Sequence, residues 1–293
     1  MASIVEVKGL KKNFGKFQAL SNVDLKVNSG EVVGFIGPNG AGKSTTIRIL
    51  LGILKSSGGE AAIFGKDAWK NSLEIHKQVS YVPGDVTLWG NFTGGEIIDL
   101  FMKLHGGGDQ KKRDRLIERF ELDPKKKAKT YSKGNRQKVG LVAALSVESE
   151  LYILDEPTSG LDPLMEAVFQ EEIYQLKEEK KAVLLSSHIL SEVERLADRV
   201  SIIRQGKVVE TGTLDELRHL TRSAVTMVTE GDVAAMSKVP GVFDFVAVNG
   251  KATFSAETEQ MNGILQQAAT LKVKKFEVVP PTLEDLFMRH YEN

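Results

Sequence analysis

The nine residues GPNGAGKST, Gly37–Thr45, decide the fold. They fit G-x-x-x-x-G-K-[ST] without a mismatch, and they lie where that pattern has physical meaning. Ahead of them, EVVGFI (Glu31–Ile36) is a short apolar run rich in β-branched residues and reads as a buried strand. Behind them, TTIRILLGIL (Thr45–Leu54) carries apolar residues at helical spacing. Gly37, Gly40 and Gly42 admit backbone conformations closed to other residues. The N–H groups of the loop can then converge on phosphate oxygens at the positive end of the next helix. The whole stretch, Gly37, Pro38, Asn39, Gly40, Ala41, Gly42, Lys43, Ser44 and Thr45, is the expected cradle. Lys43 supplies charge to the β and γ phosphates, and Ser44 offers a hydroxyl to Mg2+. A ligand-free glycine turn is the competing reading, but it requires strand, glycines, lysine and serine to coincide by chance.

Composition sets the frame. A chain of 293 residues favours two domains, and its 41% hydrophobic content supports a packed core. Lys and Arg number 39 against 39 Asp and Glu, and residues 221–293 alone hold 7 against 9. No lobe is strongly basic, which argues against a nucleic-acid partner bound by charge. With no cysteine, disulfides and Cys-ligated zinc are excluded. The start, MASIVEVKGLKK, lacks an apolar core of signal-peptide length, and no apolar run approaches about 18 residues. The expectation is a cytoplasmic protein whose membrane role, if any, needs a partner.

Up to about residue 220, strand-like and helix-like segments alternate. SIVEVKGLKKNF, LSNVDLKVNSG, AAIFG, QVSYVPG, LYILDEP and AVLLSSH read as strands, and VSIIRQGKVVETG reads as a hairpin turning at Gln205-Gly206. A helix-rich block spans roughly Gly94–Leu145. This pattern predicts an α/β fold, a mixed sheet with helices on both faces plus a helical subdomain at about 90–145. Residues 221–293 read as β-α-β-β-α-β, a small α+β ferredoxin-like domain with Asn249-Gly250 as a type I′ hairpin turn. Thr282 is an N-cap candidate for a closing amphipathic segment.

Asp155-Glu156 follows the apolar run LYIL, 112 residues after Lys43. A carboxylate at a buried strand end suits Mg2+, and Glu156 suits polarising a water aimed at the γ phosphate. An ordinary strand-end salt bridge is the bland alternative. In this company the first 220 residues resemble the ATP-binding cassette (ABC) family, the nucleotide-hydrolysing subunits of transporters, with a P-loop NTPase cassette fold. The resemblance implies ATP and Mg2+ as cofactors and a role for each motif. Phe14 in NFGKFQAL matches the aromatic ring under adenine, where stacking on bases is worth roughly 1–3 kcal/mol in nucleic-acid complexes; an edge-core phenylalanine is the alternative. YSKGNRQKVGLVAAL (Tyr131–Leu145) is similar to the signature segment, which implies that Ser132 and Gly134, at a helix start, meet the γ phosphate of an ATP held mainly by a second cassette. SGLDP (Ser159–Pro163) resembles the loop that crosses that dimer, with Asp162 its key acid. His188, after AVLLSS, matches the histidine that contacts the γ phosphate and steadies the attacking water.

Two departures stand out. Where the family usually has Gln after the strand YVP, this chain has Gly84-Asp85, so either Asp85 substitutes as a metal ligand or metal sensing is weaker. In the signature, Tyr131 replaces Leu, Lys133 replaces Gly and Asn135 replaces Gln. Both departures resemble the branch that drives exporters of the second type, and the closing PTLEDLF (Pro281–Phe287) resembles the accessory domain of drug and antibiotic exporter cassettes. The resemblance implies an ATPase subunit peripheral on the inner face of the cell membrane. Its implied partners are an integral-membrane permease and a second cassette, identical or related. A soluble ABC ATPase acting on ribosomes or DNA and an ATP-binding regulatory module with little turnover are the alternatives. Trp89 and Phe92, in LWGNFTGGEII, suit either permease docking or satellite core packing. The lysines of Lys125-Lys126-Lys127-Ala128-Lys129 suit either anionic headgroups or plain solvation.

Overall fold

The computed structural model describes residues 3–219, 222–280, 282 and 284, and the chain divides into two compact units at Thr211/Gly212. In the first, β1 (Ser3–Phe14) and β2 (Phe17–Asn28) form a long antiparallel hairpin, and β3 (Val32–Ile36) delivers the glycine loop to α1 (Lys43–Leu50). β4 (Gly58–Ile63) and β5 (Lys66–Asp67) complete a sheet of order β2-β1-β4-β5. After α2 (Ser72–Ile75), β6 (Val79–Val82) leads into the helix-rich block, which is α3 (Gly94–Leu104), α4 (Gln110–Arg119) and α5 (Lys133–Leu145). β7 (Leu151–Asp155), α6 (Pro163–Glu178), β8 (Ala182–Ser187), α7 (Leu190–Leu196), β9 (Arg199–Arg204) and β10 (Lys207–Thr213) follow. The six-stranded sheet runs β10-β9-β3-β8-β7-β6, parallel from β9 through β6. Gln205 and Gly206 turn the β9–β10 hairpin with φ of 47° and 72°, both positive as a type I′ turn requires.

Continuous apolar strands make sense because both faces of this sheet are buried. Val33, Phe35, Leu151, Ile153, Ala182 and Leu184 face one core, which they share with β1, β2 and α1. Their neighbours Val32, Tyr152, Leu154, Val183 and Leu185 face the other, with α3, α5 and α6. Burying one such side chain contributes about 1.5–3 kcal/mol, so the alternation anchors each strand from two sides. The helical block is also tied to the core by charge. Glu172 on α6 is 2% exposed and accepts from Arg115, at 2.9 Å, and from Arg119, both on α4.

Register then positions the chemistry. Ile36 pairs with Ser187, and Asp155 pairs with Ser186. The residues just past these strand ends are Gly37, Glu156 and His188, so three separate stretches of chain emerge side by side at the carboxyl edge of one sheet.

Tyr131, where the resembling signature has Leu, is buried, and its hydroxyl donates to the Asp123 carbonyl. Burial raises its pKa, which keeps the phenol a neutral donor. That hydroxyl lies against Gly94, where a Cβ would collide with it. Thr93 caps α3 just before, accepting from Glu96 N–H at 3.2 Å while Glu96 accepts from Thr93 N–H at 2.7 Å. The substitution at 131 is thus a packing arrangement with a matching glycine.

In the second unit, α8 (Leu214–His219) precedes β11 (Ser223–Thr229), β12 (Val242–Val248), β13 (Lys251–Ala256), α9 (Met261–Ala269) and β14 (Val273–Val279). The sheet order is β12-β13-β11-β14, built around Val225, Met227, Phe254 and Ile264. Asn249 and Gly250 turn the β12–β13 hairpin with φ of 50° and 76°. The first helical element of the expected β-α-β-β-α-β pattern is a 3-10 segment, Val233–Lys238, because Gly231 before it and Pro240 after it leave no room for a longer helix. The unit begins earlier than the expected residue 221, since α8 belongs with it. The closing segment lies outside the described residues apart from Thr282 and Glu284. Among the described residues, no helix is long and apolar enough to cross a membrane.

Gly94→Ala is expected to cost about 1–3 kcal/mol by overpacking. Tyr131→Leu in the same chain should return most of that cost, read as a coupling energy from urea unfolding of the two single variants and the double variant.

Candidate functional site

The glycine loop is open to an anion. Gly40 and Gly42 sit at φ of 80° and 115°, and Gly42, the N-cap of α1, supplies no side-chain hydrogen bond. Helices α3 to α6 are each capped by a side chain, those of Thr93, Asp109, Ser132 and Asp162. The leading N–H groups of α1, like those of α2, α7 and α9, have no side-chain cap, which leaves them able to bind an anion. Tertiary contacts brace the loop. Gly206 N–H donates to the Ala41 carbonyl at 2.8 Å, and a Cβ at Gly37 would strike the Ile203 carbonyl.

Lys43 is only 4% exposed. Its ammonium donates to the Gly37 carbonyl at 2.6 Å and lies 3.5 Å from Glu156 Oε1. The other carboxylate oxygen of Glu156 is 3.3 Å from His188 Nδ1. Three expected residues from three loops thus form one cluster. Glu156 adopts φ 49°, the left-handed region, at a cost of roughly 1–2 kcal/mol. Its N–H donates to the Ser186 carbonyl at 3.0 Å, which holds that turn and aims the carboxylate between Lys43 and His188.

Asp155 is buried and accepts the Ser186 hydroxyl, while Ser44 stands partly buried in the first turn of α1. With burial as the main cause and Asp155 adding to it, the Tyr81 phenol is pushed up to about 12. Among the described residues no group of three or more His, Cys, Asp or Glu side chains is arranged to hold a metal alone. An all-oxygen pair, Ser44 and Asp155, fits Mg2+, which takes its other ligands from phosphates and water. Asp85 is exposed. Gly84 lies along the Asp155–Glu156 backbone, where a Cβ would stand 3.3 Å from the Asp155 carbonyl.

Phe14 is 48% exposed at the tip of the β1–β2 hairpin, with the Lys12 ammonium 5.0 Å from its ring, so it is not a core residue. Phe17, opposite it in the hairpin, is also exposed. Ser132 caps α5 by accepting from Asn135 N–H at 3.3 Å, and Asp162 caps α6 by accepting from Leu164 and Met165 N–H, both at 3.1 Å. The start of α5 is locked to the loop after Glu156. Lys133 Nζ donates to Ser159 Oγ at 2.7 Å, buried Gln137 donates to the Pro157 carbonyl at 2.9 Å, and Gly134 abuts Gly160 so closely that a Cβ would collide.

Known proteins are similar to the chain in sequence and in fold. The family model described as ABC transporter matches residues 20–159. The bacitracin transport ATP-binding protein BcrA of Bacillus licheniformis is 36% identical over 76% of this chain and 74% of its own. The chain belongs to the ABC transporter ATPase family. The model described as ATP-binding protein DrrA1-3-like, C-terminal domain, matches residues 212–291. The daunorubicin resistance ATP-binding protein DrrA3 of Streptomyces coeruleorubidus is 32% identical over 97% of this chain and 94% of its own. A solved ATP-binding subunit of an ABC transporter superposes with a TM-score of 0.69 at 34% identity, covering 74% of this chain and 92% of that one. A dimeric bacterial ABC transporter cassette shares the fold, with a TM-score of 0.66 at 24% identity over 72% of this chain and 99% of that one. As an ABC ATPase, the chain is an ATP-hydrolysing cassette of the transporter type, and the two alternative functions are not favoured.

The sequence reading missed Ser186, Ser187 and Glu192. Two serines ending an otherwise apolar strand were the legible signal. Glu192 on α7 is 6% exposed. Its Oε2 accepts from Ser187 Oγ at 2.8 Å, while its buried Oε1 lacks a hydrogen bond of good geometry. Burial raises its pKa, with Glu166 adding to the rise and Ser187, Thr158 and His188 opposing it.

A raised folded-state pKa means the native protein binds more protons than the unfolded chain above pH 4.5, so stability falls as pH rises through that interval. Glu192→Gln keeps the contact with Ser187 without the charge. It is expected to raise Tm at pH 7.5, and the gain should shrink as the pH approaches 4.5, as read by scanning calorimetry at both values.

Proposed function

We propose that the cluster of Lys43, Glu156 and His188 is the hydrolytic centre of a cassette dimer that powers export of a drug or antibiotic. The carrying observation is Glu156, fixed by a strained turn between the Lys43 ammonium and the His188 ring. In this reading the glycine loop from Gly37 to Thr45 wraps the triphosphate, and Lys43 exchanges the Gly37 carbonyl and Glu156 for β and γ oxygens. Release of Glu156 frees its carboxylate to take a proton from the attacking water, while His188 holds the γ phosphate. Phe14 stacks under adenine. Ser44 and Asp155 would hold Mg2+, with Asp85 as a further oxygen ligand, and the bound ion would supply positive charge against that developing on the transferred group.

Ser132 and Gly134 at the start of α5 cap the ATP of a second cassette, and Asp162 lies at the same junction. The ties from Lys133, Gly134 and Gln137 to the loop after Glu156 support this, because movement of either surface is transmitted to the other. An integral-membrane permease is the proposed partner, seated in a groove of about 260 Å³ lined in part by Tyr81, Pro83, Val86, Leu88, Phe101 and His105. The protein is then peripheral on the inner face of the membrane. The unit ending at Thr211 is the nucleotide-binding domain, with a helical subdomain at 90–145, and the unit beginning at Gly212 is an accessory domain. Relatives named for bacitracin transport and daunorubicin resistance support the cargo class.

Lys43→Ala is expected to weaken ATP binding about ten- to hundredfold, the worth of a lost charged hydrogen bond. Glu156→Gln should bind ATP, elute as a dimer in its presence, and lose about 100- to 10,000-fold in turnover. Calorimetric titration, gel filtration and phosphate release test these, and undiminished turnover in Glu156→Gln would refute the assignment.

A further inference from the structure

The loop leaving β6 and the loop entering α5 lie together. Ala128 N–H donates to the Phe92 carbonyl at 2.9 Å, Gly94 N–H to the Lys126 carbonyl at 3.2 Å, and Lys129 N–H to the Gly90 carbonyl at 3.3 Å. Thr93 and Lys127 form an antiparallel bridge. This short ladder sets two unlike groups of side chains side by side. On one strand of it are exposed aromatic rings. Trp89 is 53% and Phe92 46% exposed, their ring centroids 6.5 Å apart, and Trp89 stacks on half-exposed Phe101 at 6.0 Å. On the other strand are Lys125, Lys126, Lys127 and Lys129, all exposed.

Neither feature is explained by the fold. The rings are half-exposed and contact one another, while Phe101 also lines the groove beside Val86 and Leu88. Of the lysines, only Lys127 has a side-chain partner on the ladder, donating to the Asn91 carbonyl at 2.9 Å with Glu96 at 4.0 Å. The nearby carboxylates are engaged, Glu96 in the α3 cap and Asp123 with the Lys125 N–H at 3.0 Å. An indole that is apolar in body with one N–H, flanked by apolar phenyl rings and beside free ammonium groups, matches the layering of a bilayer surface. Tryptophan settles at headgroup depth, phenyl rings add apolar area, and lysines meet anionic phosphates.

We infer that the ladder of residues 89–94 and 125–129 is a contact surface for anionic lipid headgroups, with Trp89 and Phe92 inserting at the interface and Lys125, Lys126 and Lys129 pairing with phosphates. This rests on the peripheral-membrane reading and deepens it, since the lipid contact holds the helical block against the bilayer beside the proposed permease groove. Each lysine at such a surface contributes about fivefold to partitioning at low ionic strength.

The chain has two tryptophans, Trp69 and Trp89, so Trp69→Phe leaves Trp89 as the lone reporter. The full chain carrying Trp69→Phe is mixed with vesicles of phosphatidylglycerol and phosphatidylcholine in equal parts, or of phosphatidylcholine alone, with no permease present. The expected result is a blue shift of Trp89 emission and co-sedimentation with the anionic vesicles only, lost as salt rises from about 0.05 to 0.5 M. Lys125→Gln with Lys126→Gln should weaken partitioning about 25-fold. Phe92→Ser offers a second, charge-neutral variant that should weaken it at constant salt dependence. Equal binding to neutral vesicles, no shift with anionic ones, or an unchanged affinity in both variants would overturn the inference. So would a shift that requires permease in neutral vesicles, because the patch would then belong to the permease footprint. Failure of vesicle binding leaves permease docking and nucleotide turnover measurable on their own.

Discussion

The structure turns on one buried cation. The Lys43 ammonium is nearly sealed from water, and burying a charge is costly unless it is paired. Its partners are a carbonyl of its own loop and the carboxylate of Glu156, brought from another strand. The site is thereby organised by its own groups. On the proposed reading a triphosphate would bring stronger acceptors to the same ammonium and displace the carboxylate assigned to turnover.

That carboxylate is mechanically connected. The loop that begins at Glu156 ends at the Asp162 cap of α6, and in between it touches the start of α5 through Pro157, Ser159 and Gly160. Contacts at Gly134 and Gly160 are too close for any side chain. Such tight packing transmits small displacements instead of absorbing them. On its other side, Glu156 is bonded to β8 through Ser186, and β8 continues through Ser187 to Glu192 and His188. The phosphate loop, the signature helix and the histidine turn are thus linked through a single strained residue.

The departures from the family pattern also have a physical account. Tyr131 fills the space of a leucine and more, and it is accommodated because Gly94 lacks a side chain and Asp123 offers a carbonyl. Lys133, in place of glycine, reaches Ser159 and adds a tie. Gly84 lies flat along the backbone of Asp155 and Glu156, leaving neighbouring Asp85 exposed. These changes alter how the motifs are supported and leave Lys43, Glu156 and His188 together.

Much was legible in the residues alone. The glycine loop, the apolar strands and the two Gly-containing hairpin turns are local, since each follows from backbone freedom or side-chain periodicity within a few residues. Lys43 could be nominated from its glycine motif, and Asp155, Glu156 and His188 from their place at or just after apolar runs together with the family resemblance. Which of them touch was not legible, because contact depends on the pairing of Ile36 with Ser187 and Asp155 with Ser186, residues more than a hundred positions apart in the first pair. Glu192 gave no local sign, since burial of a carboxylate is set by neighbours from other elements. The exposure of Trp89 and Phe92 was equally hidden, because periodicity cannot tell an aromatic ring that packs inward from one that a distant loop holds at the surface. The chain by itself specified the parts and their chemistry; only the folded sheet, through strand register and close packing, decided which parts meet.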